Sequence, residues 1–504
     1  PVGQWIARTV VEGNSDEATA GPFEFVGKGI AGSHYQNGMS VVLQSLDDIQ
    51  PELVNGPRVR RNKSNQHWAK CIALKRKIMA GMDIYLRFAA GLVVLFFFTR
   101  WISRKIDPGF GDGALVLALV IKIACGAAYG YIFLRIYGGD DTWLINRDSM
   151  VETAVLKHSP ALYFNDIDVV RLVKEMGWIE GLGHFREKLE WAMITKPLSL
   201  VNFLSEGDYY VNLLAFTAFG FWGPFLFFQV LRKTWPQYGN VFFWIVFAYL
   251  PVVFWLSGLR GDGRDFLFIS AGIFCFDLYF RTGRRSMFWW AVLCLLLLTI
   301  TRTAFALIMS IGLLSWWLAK RQQSRPGLSF LVVHLAAILV FFTSAWMPDP
   351  FNAPSGVVAR QATFMQLQGN TRIALNRLKP NPGSFLQTAP QAFSNVWFRP
   401  LPWEAKGPLQ WLMVAQNIII ISIFILAAWW LFPGRAVVFR EPLFYFMLFF
   451  FLFSSFSIGF TVPFPGAIVR YRAVAELYLL LMGLLLVLPA LRSYDNLFNV
   501  YKNR

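Results

Sequence analysis

MFWWAVLCLLLLTITRTAFALIMSIGLLSWWLA, residues 287–319, is the stretch whose reading decides the architecture. As one straight helix its 33 residues would reach about 50 Å, well beyond the roughly 30 Å hydrocarbon core of a bilayer. Thr301-Arg302-Thr303 interrupts it near the middle. Either one tilted helix buries an arginine, or two short spans meet at Arg302.

Loop charge separates the two readings. Further runs of membrane-spanning length lie near 84–101, 113–137, 209–231, 240–258, 266–280, 327–346, 409–432, 442–460 and 474–491. The C-terminus carries Arg492, Lys502 and Arg504 and is placed in the cytoplasm. Alternating backwards with 287–319 as two spans, one side collects Arg435/Arg440, Lys320/Arg321/Arg325, Arg281/Arg284/Arg285, Arg232/Lys233 and Arg100/Arg104/Lys105. Short basic loops belong on the cytoplasmic side, so the two-span reading is preferred. Trp289-Trp290 and Trp316-Trp317 then share one interface. The expected fold is an all-α polytopic membrane protein of about 11 helices, with long extracytoplasmic loops at 138–208 and 347–408.

Composition agrees. Of 504 residues, 56% are hydrophobic, 17% aromatic and 15% charged, against roughly 25% charged in a soluble domain. The net charge of +17 sits mostly in the short basic loops, with no basic face interleaved with aromatics, so nucleic-acid binding is not expected. Cys71, Cys125, Cys275 and Cys294 show no paired spacing, and the five histidines form no metal motif; no metal or cofactor is expected. Residues 1–82 are polar and basic, their apolar stretches are too short for a signal peptide to be expected among them, and Met79 and Met82 stand just before the first span. This segment is expected to be a poorly ordered extension, part of 1–78 being upstream sequence; an amphipathic first segment that shifts the parity is the alternative. Residues 493–504 would be a cytoplasmic tail.

The same count gathers unusual residues on the outer face. Outer segments should be poor in arginine, yet they carry Arg260, Arg264, Arg302, Arg360, Arg372, Arg377, Arg470 and Arg472. Local pairing with Asp262, Asp265, Glu404 or Glu476, or snorkelling to lipid phosphate, is the plain explanation. The sharper one is a binding ring. A guanidinium fork holds phosphate with two hydrogen bonds and stays charged when partly desolvated. Arg260, Arg302, Arg470 and Arg472 would then grip a lipid-linked phosphate and stabilise charge as it departs.

The run Tyr137-Gly138-Gly139-Asp140-Asp141-Thr142-Trp143 places two carboxylates at the membrane edge. Either could deprotonate an acceptor hydroxyl, with Asp140 the better base, and Asp141 could instead cap the next helix. Helix-like stretches follow at about 142–157 and 166–195, the second amphipathic and suited to lying along the membrane surface. The second long loop offers a short helical signal at 372–378 and ends Trp397-Phe398-Arg399-Pro400-Leu401-Pro402-Trp403-Glu404. Glu404 is expected to pair with Arg399 or Lys406. Lys122, Arg135 and Asp277 are charges inside spans; Lys122 lies deepest and is expected to pair within the bundle.

The Gly-Asp-Asp-Thr segment at 139–142, Phe254-Trp255-Leu256-Ser257-Gly258-Leu259-Arg260, the late outer loop with Arg372 and Arg377, and Gly466 to Arg472 together resemble the bacterial O-antigen and exopolysaccharide polymerase group, including its EpsG-like branch. The likeness covers roughly residues 83–492. It implies sugar transfer from a polyprenyl-linked donor at the outer face of the bacterial inner membrane, within a polysaccharide-assembly system, with outer-loop arginines holding the lipid-linked glycan. Arg372 and Arg377, with the stacking surface of Trp403, would be the glycan contacts. The large first outer loop is also similar to that of C-type membrane glycosyltransferases, which use polyprenyl-phosphate monosaccharides, although no clear Asp-x-Asp occurs there; Asp166-Ile167-Asp168 has the spacing but sits deep in the loop. A non-enzymatic transporter or scaffold using the same arginines is the remaining alternative.

Overall fold

The chain is described by a computed structural model covering residues 63–321, 325–367, 372–429 and 438–502. Arg435 and residues 1–62 lie outside the described residues. All regular structure among the described residues is helical. Seven helical stretches are long and apolar enough to cross a membrane, or eight when a bent pair near the C-terminus is counted. The chain therefore has the make-up of a polytopic, membrane-embedded helical protein.

α1 (Lys63–Ile106) and α2 (Asp112–Arg135) open the bundle. α1 begins at Lys63, so residues 63–82 are helical and run on into the first span. The first long loop folds into α3 (Asp141–His158), α4 (Pro160–Asn165), α5 (Val169–Met176) and α6 (Trp178–Ser205). The amphipathic stretch anticipated at 166–195 is thus two helices. Gly177, with φ 84°, breaks it, because that backbone conformation favours glycine. α7 (Tyr209–Gly220) and α8 (Trp222–Thr234) run nearly end to end.

The span expected at 240–258 is broken into α9 (Gly239–Ala248) and α10 (Leu250–Trp255). Residues 256–260 then unwind before α11 (Gly261–Thr282). Irregular backbone at membrane depth needs internal partners, and Lys122 supplies one. Its Nζ donates to Leu256 O at 3.0 Å and lies 3.5 Å from Ser257 Oγ. Asp277, near the other end of α11, pairs with Arg281 at 2.6 Å, and Arg135 is exposed.

α12 (Arg285–Arg321) contains the deciding stretch, and Arg302 leaves helical geometry at φ −146°, ψ 74°. Its arms fold back on each other. The vacant Cβ position of Gly272 lies 3.4 Å from Cys294 Cβ and 2.3 Å from Met309 Cε. In a straight helix residues 294 and 309 would be about 22 Å apart. Phe276 meets Trp316 at 5.8 Å while Tyr279, one turn away, meets Phe288 at 5.7 Å. Both ends of α12 therefore return to the same end of α11, and Arg302 sits at the tip of a helical hairpin.

α13 (Pro326–Thr343) precedes the second long loop, which forms α14 (Ala353–Gln366) and α15 (Pro382–Trp397). The helical signal at 372–378 is not a helix. This segment is extended because side chains and distant backbone satisfy it: Ile373 N donates to Pro463 O, Asn376 N to Gln391 Oε1 and Leu378 N to Gln361 Oε1, each at 2.8–2.9 Å. α16 (Pro408–Trp429), α17 (Pro442–Thr461), α18 (Pro465–Tyr471) and α19 (Ala473–Lys502) complete the chain. Residues 493–502 continue the helix of α19.

The core is unusually aromatic, with Phe221, Phe225, Phe227, Phe242, Phe266 and Phe446 fully buried. Small residues let backbones approach where polar segments must meet. Gly126 and Gly130 on α2 face Ser257 O and the Tyr209 ring, leaving no room for a side chain; small residues four apart permit such contact. At one end of the bundle Asp107 pairs with Arg232, Arg281 reaches Thr234, and Arg100 and Arg104 share Asp112. The opposite ends of α2 and α11 hold the site.

Candidate functional site

Arg260 ends the unwound segment before α11 and is nearly enclosed. Its Nη1 donates to Asp140 Oδ2 at 2.7 Å and also to the Tyr129 hydroxyl; its Nη2 donates to Asp141 Oδ2 at 2.5 Å. Arg470, on α18, reaches the same Asp141 oxygen at 3.3 Å and Asp262 at 3.6 Å. Arg302, at the hairpin tip, pairs with Asp262 at 3.5 Å and Asp265 at 3.1 Å. Arg264 continues the chain to Asp265 at 3.1 Å and to Glu190 of α6 at 3.7 Å. Arg302 and Arg470 both lie over the Tyr471 ring.

Five of the residues singled out from sequence, Asp140, Asp141, Arg260, Arg302 and Arg470, are thereby joined in one network drawn from four separate segments. Its guanidiniums are not a free ring but pair with carboxylates, Asp262 and Asp265 among them, as the plain explanation had it. Arg260, Arg264, Arg302 and Arg470 face Asp140, Asp141, Asp262, Asp265 and Glu190. Arg186, which donates to Thr303 at 2.9 Å and acts on Glu190, makes the balance five against five. The reason is physical: guanidiniums this buried require counter-charges.

The two aspartates differ. Asp140, not Asp141, caps α3: its Oδ1 accepts from Thr142 N at 3.0 Å. Its Oδ2 accepts from Tyr129 at 2.8 Å and from Arg260. Burial raises the Asp140 carboxyl above its ordinary range, against the opposing pull of Arg260, Tyr129 and Thr142 N. Asp141 occupies the first turn, and its side chain is 50% exposed against 15% for Asp140. The more accessible of the two carboxylates is therefore Asp141.

Arg472 does not join the ring. Two residues beyond Arg470, it is wholly buried against Glu476 at 3.2 Å, with Asn417 Oδ1 at 2.7 Å and Val396 O as further partners. Arg372 and Arg377 are exposed on the extended segment, Arg372 donating to Met365 O at 2.7 Å. Trp403 is exposed on a short 3-10 turn, beside the Arg399–Glu404 pair at 3.5 Å. Among the described residues, none of these three hydrogen-bonds or ion-pairs with the network.

Tyr129, Glu190 and Arg186 were not singled out from sequence. For Tyr129 a signal existed: it lies between Gly126 and Gly130, whose spacing marks a closely packed face. For Glu190 and Arg186 none did, since a charged surface helix is unremarkable. Among the described residues no acidic, histidine or cysteine group is arranged to hold a metal.

Fold and site thus define a helical membrane protein with a buried, charge-balanced arginine–carboxylate network at one end of its bundle. No family model, curated protein or solved structure matches the chain.

Proposed function

We propose that this protein transfers sugars from a polyprenyl-linked donor at the outer face of a bacterial inner membrane, in the manner of the polysaccharide polymerases it resembles. The observation that carries this reading is the convergence of Arg260, Arg302 and Arg470, from three separate segments, beside the half-exposed carboxylate of Asp141. The chain would cross the membrane 11 times, α12 counting twice, with the network outside and the C-terminus in the cytoplasm. A donor lipid would enter from the bilayer with its phosphates against Arg260 and Arg470. An acceptor hydroxyl would lose its proton to Asp141 as the sugar–phosphate bond breaks, and the departing phosphate would be held by charge-assisted hydrogen bonds. Arg302, locked between Asp262 and Asp265, would shape the site from the hairpin tip.

A second donor, a polyprenyl-phosphate monosaccharide, is favoured by the four helices of 141–205, which pack α6 residues Arg186 and Glu190 against the hairpin tip. Purified protein in lipid nanodiscs, given either a polyprenyl-pyrophosphate oligosaccharide or a polyprenyl-phosphate sugar, distinguishes the two by which one lengthens an acceptor. Failure of both donors across a panel of sugars would remove the enzyme reading.

A further inference from the structure

The balance of charge raises a question that sugar transfer alone does not answer. A phosphate approaching this site finds no unpaired guanidinium. Arg260 is shared among Asp140, Asp141 and Asp262, and Arg470 between Asp141 and Asp262. An anion can enter only by replacing one of these carboxylates.

The carboxylates around these arginines are not equally replaceable. Asp140 is fixed by Thr142 N, the Tyr129 hydroxyl and Arg260. Asp262 and Asp265 are enclosed, with side-chain exposures of 11% and 4%, and hold Arg302 at the hairpin tip. Asp141 is half exposed, and its two partners in the network are Arg260 and Arg470, both through Oδ2. When Asp141 leaves, Arg260 retains Asp140 and Asp262, so the surrounding frame keeps its charges paired. Arg470 Nε, buried, has no hydrogen-bond partner and faces Asp262 Oδ2 at 3.6 Å, beyond hydrogen-bond distance. A phosphate group, with several acceptor oxygens, is a stronger, multidentate match to two guanidinium forks than one carboxylate oxygen.

We propose that Asp141 is an exchangeable anion, resting between Arg260 and Arg470 until a phosphate takes its place, and that, when this phosphate is the lipid-linked donor's, the displaced carboxylate accepts the acceptor's proton. The second half rests on the sugar-transfer reading; the first does not. The balance is complete. The acceptor oxygen bonds the sugar carbon, that carbon's bond to phosphate breaks with its electron pair leaving on phosphate, and the acceptor proton ends on Asp141. Removing a carboxylate from two guanidiniums makes it a better base, so donor binding would itself arm the site.

Removing a residue from a binding site ordinarily weakens binding; here Asp141→Asn should strengthen it, because the competing anion is gone. Binding of two probes, inorganic pyrophosphate and a polyprenyl monophosphate, is measured to nanodisc-embedded protein. Asp141→Asn and Asp141→Ser should each bind both probes about tenfold more tightly, as loss of one competing charge contact predicts, and should lose transfer. Arg470→Ala should weaken both probes. A tighter polyprenyl monophosphate with unchanged pyrophosphate would assign the gain to the lipid tail and overturn the exchange. Equal or weaker binding of both probes by both Asp141 variants would also overturn it, whether or not the wild type transfers sugar. Tighter binding by a protein that transfers no sugar would uphold the exchange and remove only the proton-acceptor half.

Discussion

Arg470 and Arg472 are two residues apart and live in different chemistry. Arg470 has 16% of its side chain exposed and shares a half-open carboxylate with Arg260. Arg472 and Glu476 are 0% and 1% exposed, and their cluster also takes in Gln416, Asn417 and the Tyr249 hydroxyl. The cause is a 60° bend between α18 and α19, which turns one guanidinium toward the network and the other into the bundle. Charge pairing alone therefore does not mark a functional arginine. What distinguishes the two regions is whether a partner can leave: in the sealed cluster none can without stranding a charge, while in the network Asp141 can.

The largest effect should come from the sealed side. Removing one partner of a buried ion pair strands the other and costs about 3–5 kcal/mol, so Arg472→Ala and Glu476→Ala should each unfold far below wild type in a detergent thermal melt. Replacing both with apolar residues of similar size should recover much of that loss. On the open side, Arg470→Ala should shift the melt little and reduce sugar transfer by on the order of 10²-fold. If the Arg470 and Arg472 variants melt alike, the two regions are not different in kind.

A smaller effect tests packing in the same two regions. A Cβ on Gly459 would lie 2.2 Å from Ala392 O, where α17 and α15 touch backbone to backbone, whereas a Cβ on Gly466 in α18 would meet nothing within 4 Å. Gly459→Ala should destabilise by about 1–3 kcal/mol through overpacking, and Gly466→Ala should be near neutral. Equal melts for the two variants would show that the α15–α17 contact relaxes freely.

How far such differences could be read from sequence depends on range. The interruption at Thr301-Arg302-Thr303 and the alternation of basic loops are local signals, and they anticipated the reversal at Arg302 that Gly272, Cys294 and Met309 display. Placing their segments on one face brought Asp140, Asp141, Arg260, Arg302 and Arg470 to one end of the bundle, but that they meet in space was not legible, because loops of that length can fold several ways. The divergence of Arg472 was not legible, because it depends on a bend whose angle no short pattern encodes. The cap falling on Asp140 was equally hidden, since either of two adjacent aspartates satisfies the preference for that position. The 372–378 segment was misread because its helical spacing is outweighed by Gln361 and Gln391, side chains from other elements that bond its backbone.

The smallest expected effect concerns the network's edge at Glu190, where burial and charge pull in opposite directions. Burial, the largest influence, raises the Glu190 carboxyl, while Arg302 and Arg264 lower it less. A carboxyl raised in the folded state favours folding while protonated, and that contribution is lost as pH climbs from the unfolded value of about 4.3 through the folded one. Wild type should therefore lose stability over this interval relative to Glu190→Gln, which carries no titrating group there. The variant keeps the other anchor of α6, because Arg264 also donates to the backbone oxygen of residue 190 at 2.9 Å. Melting both proteins from about pH 4 to about pH 7 should show Glu190→Gln gaining on wild type as pH rises, by a degree or two at most. The opposite slope, with the variant weakest near neutrality, would mean that Arg264 and Arg302 outweigh burial at position 190. Glu190 would then belong with the sealed pairs such as Glu476 and not with the open edge beside Asp141.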